Sequence, residues 1–155
     1  MTTSAIDHPA NAALRRYFEP RLRGSTPVVA VPDDVDNPYY TLGTHPDIVA
    51  RLWDQLAERL PGDCRTIFCG VPTLMHPVTN VVFAFAWGTM VIAARLPEPE
   101  RSAARRAGAT RVHIYSSGAL PFSLDDIGDE WLFLQWLREE PEWCLAAYEF
   151  AGAKG

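Results

Sequence analysis

Residues 80–95 read NVVFAFAWGTMVIAAR, and this stretch decides the fold. Small Ala84 and Ala86 alternate with Phe83, Phe85 and Trp87. That pattern predicts a strand with large side chains on one face and a closely packed second face. Gly88 sits where a tight turn would send the chain back through a second strand over residues 89–95. Upstream, residues 65–69 and 73–76 are short and apolar, with Gly70, Val71 and Pro72 bending the chain between them. Residues 77–80 supply a further turn. Short strands joined by close turns predict an antiparallel meander.

The flanks are helical in pattern. Residues 10–18 place Leu14, Tyr17 and Phe18 on one side, and residues 46–60 repeat apolar positions at helical spacing. The second of these helices has Thr44 or His45 as cap, Pro46 in its first turn and Asp47 complementing the dipole. Pro97 and Gly108 bracket a helix over 98–107. A last helix over 141–153 turns Trp143, Ala146, Ala147 and Phe150 inward. Residues 28–31 and 111–115 have strand character, whereas 131–136 fits helix or strand equally well. The expected fold is therefore α+β, an antiparallel β-meander sheet packed against helices. Residues 1–43 form an N-terminal arm, with a short helix and a Pro-rich loop, ahead of a single domain over 44–155.

Composition narrows the classes of function. The chain has 155 residues, 48% hydrophobic and 21% charged, which suits one globular core. No apolar run is long enough for a membrane span, and the first ten residues lack a signal-peptide profile, so a cytoplasmic location is expected. A net charge of −5 argues against nucleic acid as partner. Residues 123–155 carry eight acids against Arg138 and Lys154, and the chain's three cysteines are read as reduced thiols.

The order of elements resembles the MmcQ/YjbR-like and TfoX N-terminal-like group of small bacterial proteins. The residues that carry the likeness are Gly70-Val71-Pro72, Phe83-Ala84-Phe85, Ala94-Arg95-Leu96-Pro97-Glu98 and Arg105-Arg106-Ala107-Gly108-Ala109. It extends over about residues 46–152, leaving the arm without a counterpart. The resemblance implies the two-layer arrangement and, by analogy, a role as a nucleic-acid-associated regulator. The residues for that role would be Arg95, Arg101, Arg105, Arg106 and Arg111.

Motifs for chemistry are sparse. Cys64, Cys69 and His76 are the nearest approach to a metal-binding set, but a spacing of five along an extended segment points the two thiols to opposite faces. Ser116 and Ser117 follow His113 without a nucleophile-elbow motif around them. The acidic clusters Asp33-Asp34-Asp36 and Asp125-Asp126-Asp129-Glu130 allow a metal-dependent hydrolase as a remote alternative, although neither has the spacing of a calcium loop. No cofactor or metal is expected. Aromatic density is the remaining feature, and Trp87, Trp131, Trp136, Tyr39 and Tyr40 are read as anchors of a surface for a ligand or partner. The leading expectation is a non-enzymatic binding or interaction module, with a small ligand, another protein or a second copy in a homodimer as its partner.

Overall fold

The computed structural model describes residues 5, 7–18, 29–34, 45–87, 91–113, 122–124, 127–135 and 138–154. Six strands form one antiparallel sheet: β1 (Val29–Ala30), β2 (Arg65–Phe68), β3 (Val71–Met75), β4 (Val82–Trp87), β5 (Val91–Arg95) and β8 (Trp131–Leu134). They lie in that order, so the meander of β2 to β5 is continuous and β8 closes one side against β5. Residues 131–134 are thus a strand. β6 (Val112–His113) and β7 (Phe122–Ser123) pair with each other in a separate small sheet.

Four helices are described. They are α1 (Ala12–Phe18), α2 (Pro46–Ala50), α3 (Glu100–Arg106) and α4 (Pro141–Gly152). The ring Nδ1 of His45 accepts the Asp47 N–H at 3.1 Å and caps α2, which continues as a wider π-helical stretch, Arg51–Leu56. Helix α3 stops at Gly108, whose φ of +100° only glycine adopts at little cost. The Gly108 N–H reaches Arg105 O and the Ala109 N–H reaches Ala104 O, which satisfies carbonyls left over by the helix end. Cys69 and Gly70 both take positive φ in the two-residue β2–β3 connection, the backbone twist such a hairpin requires.

The expected alternation along β4 holds at one end and breaks at the other. Phe85 and Trp87 lie on one face, with Ala84 and Ala86 on the opposite one. Phe83, however, joins Ala84 and Ala86. The register explains it: Leu74 pairs with Ala84 but Met75 pairs with Val82, so Phe83 is an extra residue in a β-bulge. One extra residue reverses the side-chain parity, and Phe83 turns toward Tyr148 of α4 instead of toward Phe85.

Each face of the sheet has its own core. On the first, α2, its π-helical continuation and α4 pack over Leu74, Phe83, Ala84, Ala94 and Leu132. Small side chains on β4 and β5 there admit the helices closely. The inner positions of α4 are Trp143, Cys144, Ala147 and Ala151; Ala146 and Phe150, expected inside, are half-buried, and Phe150 lies under the Lys154 ammonium at 4.4 Å. On the second face, Leu14 and Phe18 of α1 cover Phe68, Phe85, Trp131 and Phe133, together with Leu124 and Ile127. The arm thus supplies a cover beyond the helix layer expected from the sequence.

The C-terminal end of α4 is fitted to the β3–β4 turn. His76 Nδ1 accepts the N–H groups of Val78 and Thr79, its ring stacks on Tyr148 at 4.5 Å, and Thr79 Oγ1 donates to Ala151 O at 3.0 Å. A Cβ at Gly152 would stand 2.9 Å from His76 Nε2. The imidazole cannot swing away without giving up its turn bonds. Gly152→Ala is therefore expected to destabilise by about 1–2 kcal/mol, whereas an unobstructed helical glycine would gain from the change. A rise in the urea midpoint of that variant would contradict the contact.

Candidate functional site

A cluster of polar side chains sits where the N-terminal segment meets the bulge. Arg95 leaves β5 on the second face, 5% exposed, with its guanidinium carbon 4.9 Å from the centre of the Trp131 ring. Its Nε donates to Val82 O at 3.1 Å, Nη2 to Ala10 O at 2.7 Å and Nη1 to Glu130 Oε2 at 3.3 Å. Lys154 Nζ reaches the other Glu130 oxygen at 3.0 Å. Burial lowers the pKa of Arg95, opposed by the carboxylate of Glu130. Burial also works to raise the pKa of Glu130, but Lys154 and Arg95 outweigh it and hold the carboxyl below its ordinary value.

Asn11 completes the cluster. It is fully buried, donating through Nδ2 to Asn80 O at 2.7 Å and Ala5 O at 2.9 Å, while Oδ1 accepts the Val82 N–H at 2.9 Å. Both backbone groups of Val82, next to the bulge, are therefore taken by side chains. His8 Nδ1 accepts the Ala10 N–H at 3.0 Å and starts the helical turn that leads into α1. These groups hold a segment in place. None is arranged around a reacting atom.

His8 and His76, the buried histidines among the described residues, favour their neutral form. Burial lowers the pKa of His8, helped by the charge of Arg95; burial lowers that of His76 against an opposing pull from Asp63. An unfolded histidine titrates at about 6.5, so their contribution to stability is whole above that pH and is lost as pH falls through the lowered native values. The urea midpoint is expected to drop between about pH 7 and pH 5, before carboxylates titrate. A flat profile over that window would contradict the burial of the two rings. The three cysteines are buried thiols, and burial pushes those of Cys64 and Cys144 up to about 12, far from the thiolate a nucleophile requires.

The aromatic residues expected to anchor a surface are divided. Trp131 is 1% exposed, packed against Phe85 at 5.3 Å, and is part of the second core. Its indole N–H is buried and has no hydrogen-bond partner among the described residues. Trp87 is half-buried at the end of β4, stacked on Phe18 at 5.6 Å with planes 15° apart. Trp136, Tyr39 and Tyr40 lie outside the described residues, as do Gly88, Ser116 and Ser117.

The arginines are dispersed in role. Arg95 is in the core, and Arg111 donates to the carbonyls of Leu124, Gly128 and Trp131, fastening the segment before β8. Arg101 Nε donates to Leu96 O at 3.0 Å, and its guanidinium lies 4.0 Å from Glu98. Arg105 and Arg106 are exposed on α3. Of the acidic clusters, Asp33 and Asp129 are exposed and Glu130 is held as above; Asp36, Asp125 and Asp126 lie outside the described residues. Among the described residues no group of three or more His, Cys, Asp or Glu side chains is placed to hold a metal ion.

Two features escape sequence reasoning. A cleft of about 230 Å³ lies between α3 and the start of α4, lined by Pro99, Glu100, Ala103, Arg106, Glu142 and Trp143. Its residues come from segments some forty positions apart, so no local motif announces it. The second is the Arg51–Glu139 pair at 3.4 Å, with Arg51 Nε and Glu139 Oε2 buried and without hydrogen-bond partners among the described residues. Comparison with protein-family models, curated proteins and solved structures finds no match to this chain.

Proposed function

We propose that the protein is a non-enzymatic binding or interaction module that meets its ligand or partner through an aromatic surface at the end of β4. The observation that carries this reading is the position of Trp87, half-buried and stacked on Phe18 at the border of the second core. A rigid aromatic group braced in this way contributes contact area with little entropy left to lose. The commitment of His8, Asn11, His76, Arg95 and Arg111 to backbone groups supports it further, since these polar side chains act as structural fasteners.

Native mass spectrometry and light scattering of the purified protein test the proposal. Co-purified ligand or self-association that is lost in Trp87→Ala is the expected result, and a bare monomer would oppose it. A second reading, a nucleic-acid-associated regulator, draws on the exposed Arg105 and Arg106 beside the α3–α4 cleft. It requires salt-sensitive DNA binding that weakens in Arg105→Ala plus Arg106→Ala. A flat gel-shift titration at low salt would dispose of it.

A further inference from the structure

We propose that the N-terminal segment is a pH-sensitive strap over the aromatic face of the sheet, latched in part by neutral His8. The strap is described at residue 5 and over 7–18, and it brings Leu14 and Phe18 onto Phe85 and its neighbours. Two bonds tie it to the sheet, Asn11 to the bulge and Arg95 to Ala10 O, and His8 Nδ1 caps the turn that carries both anchors by accepting the Ala10 N–H. Asn11 and Arg95 do not change charge near neutral pH. His8 does.

Protonation converts both ring nitrogens of His8 to donors, so the Ala10 N–H loses its acceptor. It also places a positive charge near Arg95. Among the described residues, the charged groups around this point are Arg95 on β5, Glu130 in the turn before β8 and Lys154 after α4, with the exposed Asp7 beside His8 in the chain. Glu130 is already shared between Arg95 and Lys154, so it is not available to offset a new cation. Acid therefore weakens the hold on α1 while leaving the hydrogen bonds within the sheet intact. Opening the strap uncovers Phe85 and Trp131 and removes Phe18 from the Trp87 stack, which couples pH to the exposure of aromatic surface. This inference concerns the cover itself and stands whether or not Trp87 binds a partner.

Hydrogen exchange followed by mass spectrometry, corrected for the intrinsic pH dependence of exchange, tests it on the full chain. Between about pH 7.5 and pH 5.5, amides of residues 12–18 are expected to lose protection about fivefold relative to those of β4, the equivalent of one hydrogen bond. In His8→Asn, a cap that does not titrate, the ratio between the two pH values is expected to be flat, whatever the absolute protection. Equal protection of residues 12–18 at both pH values in the natural sequence would overturn the proposal. So would the same pH response in His8→Asn.

Discussion

Arg95→Met is expected to cost about 3–5 kcal/mol of folding stability, because two buried carbonyls lose their donors at about 1–3 kcal/mol each. Methionine fills the volume of the aliphatic stem but leaves Val82 O and Ala10 O without the donors that now reach them. Glu130 retains Lys154, so the loss falls chiefly on the two carbonyls and on the packing over Trp131. Arg95→Lys is expected to recover only part of the loss, because one ammonium cannot span three acceptors that a planar guanidinium reaches together. Urea denaturation at neutral pH measures both variants. A change in Arg95→Met below about 1 kcal/mol, the value of one ordinary hydrogen bond, would mean that the cluster is not a fastening point.

Phe85→Ala is expected to cost about 3–5 kcal/mol, as a fully buried ring is removed from between Phe18 and Trp131. Phe83→Ala should be comparable in cost, yet the two rings belong to different cores, one facing α1 and the other α4. Their milder leucine variants should therefore add within about 0.5 kcal/mol in a double-mutant cycle. Side chains on one face two positions apart would share neighbours and couple. A coupling energy above about 1 kcal/mol would place Phe83 beside Phe85, as simple alternation has it, and would exclude the bulge.

That contrast shows where the sequence is informative and where it is not. The α+β class, the four strands of the meander, the cap at His45, the stop at Gly108 and the final helix all follow from local pattern and turn chemistry. Phe83 does not, because a bulge depends on the register with β3, and nothing in VFAFAW marks the extra residue. Segment 131–134 becomes a strand because β5 offers it an edge, and its own pattern fits either period. The α+β fold is thus established, while the likeness to MmcQ/YjbR-like proteins remains a proposal about its detailed arrangement. Charge and aromaticity alone place Arg95 and Trp131 on the surface. Only the pairing of Arg95 with Trp131 across β5 and β8 shows them as neighbours inside the second core. His76 reads as a turn residue, and it is one; its fit against Gly152 depends on a helix end seventy-six positions away.

Buried polar side chains fasten the N-terminal cover to the sheet, and Asn11→Ala tests this most directly. The substitution removes the acceptor for Val82 N–H and the donor to Asn80 O and Ala5 O at a fully buried position. A loss of about 2–4 kcal/mol in urea unfolding, with the native sheet still formed, is the predicted result. Stability equal to that of the natural sequence would contradict it, for the segment would then lie on the core without being held there.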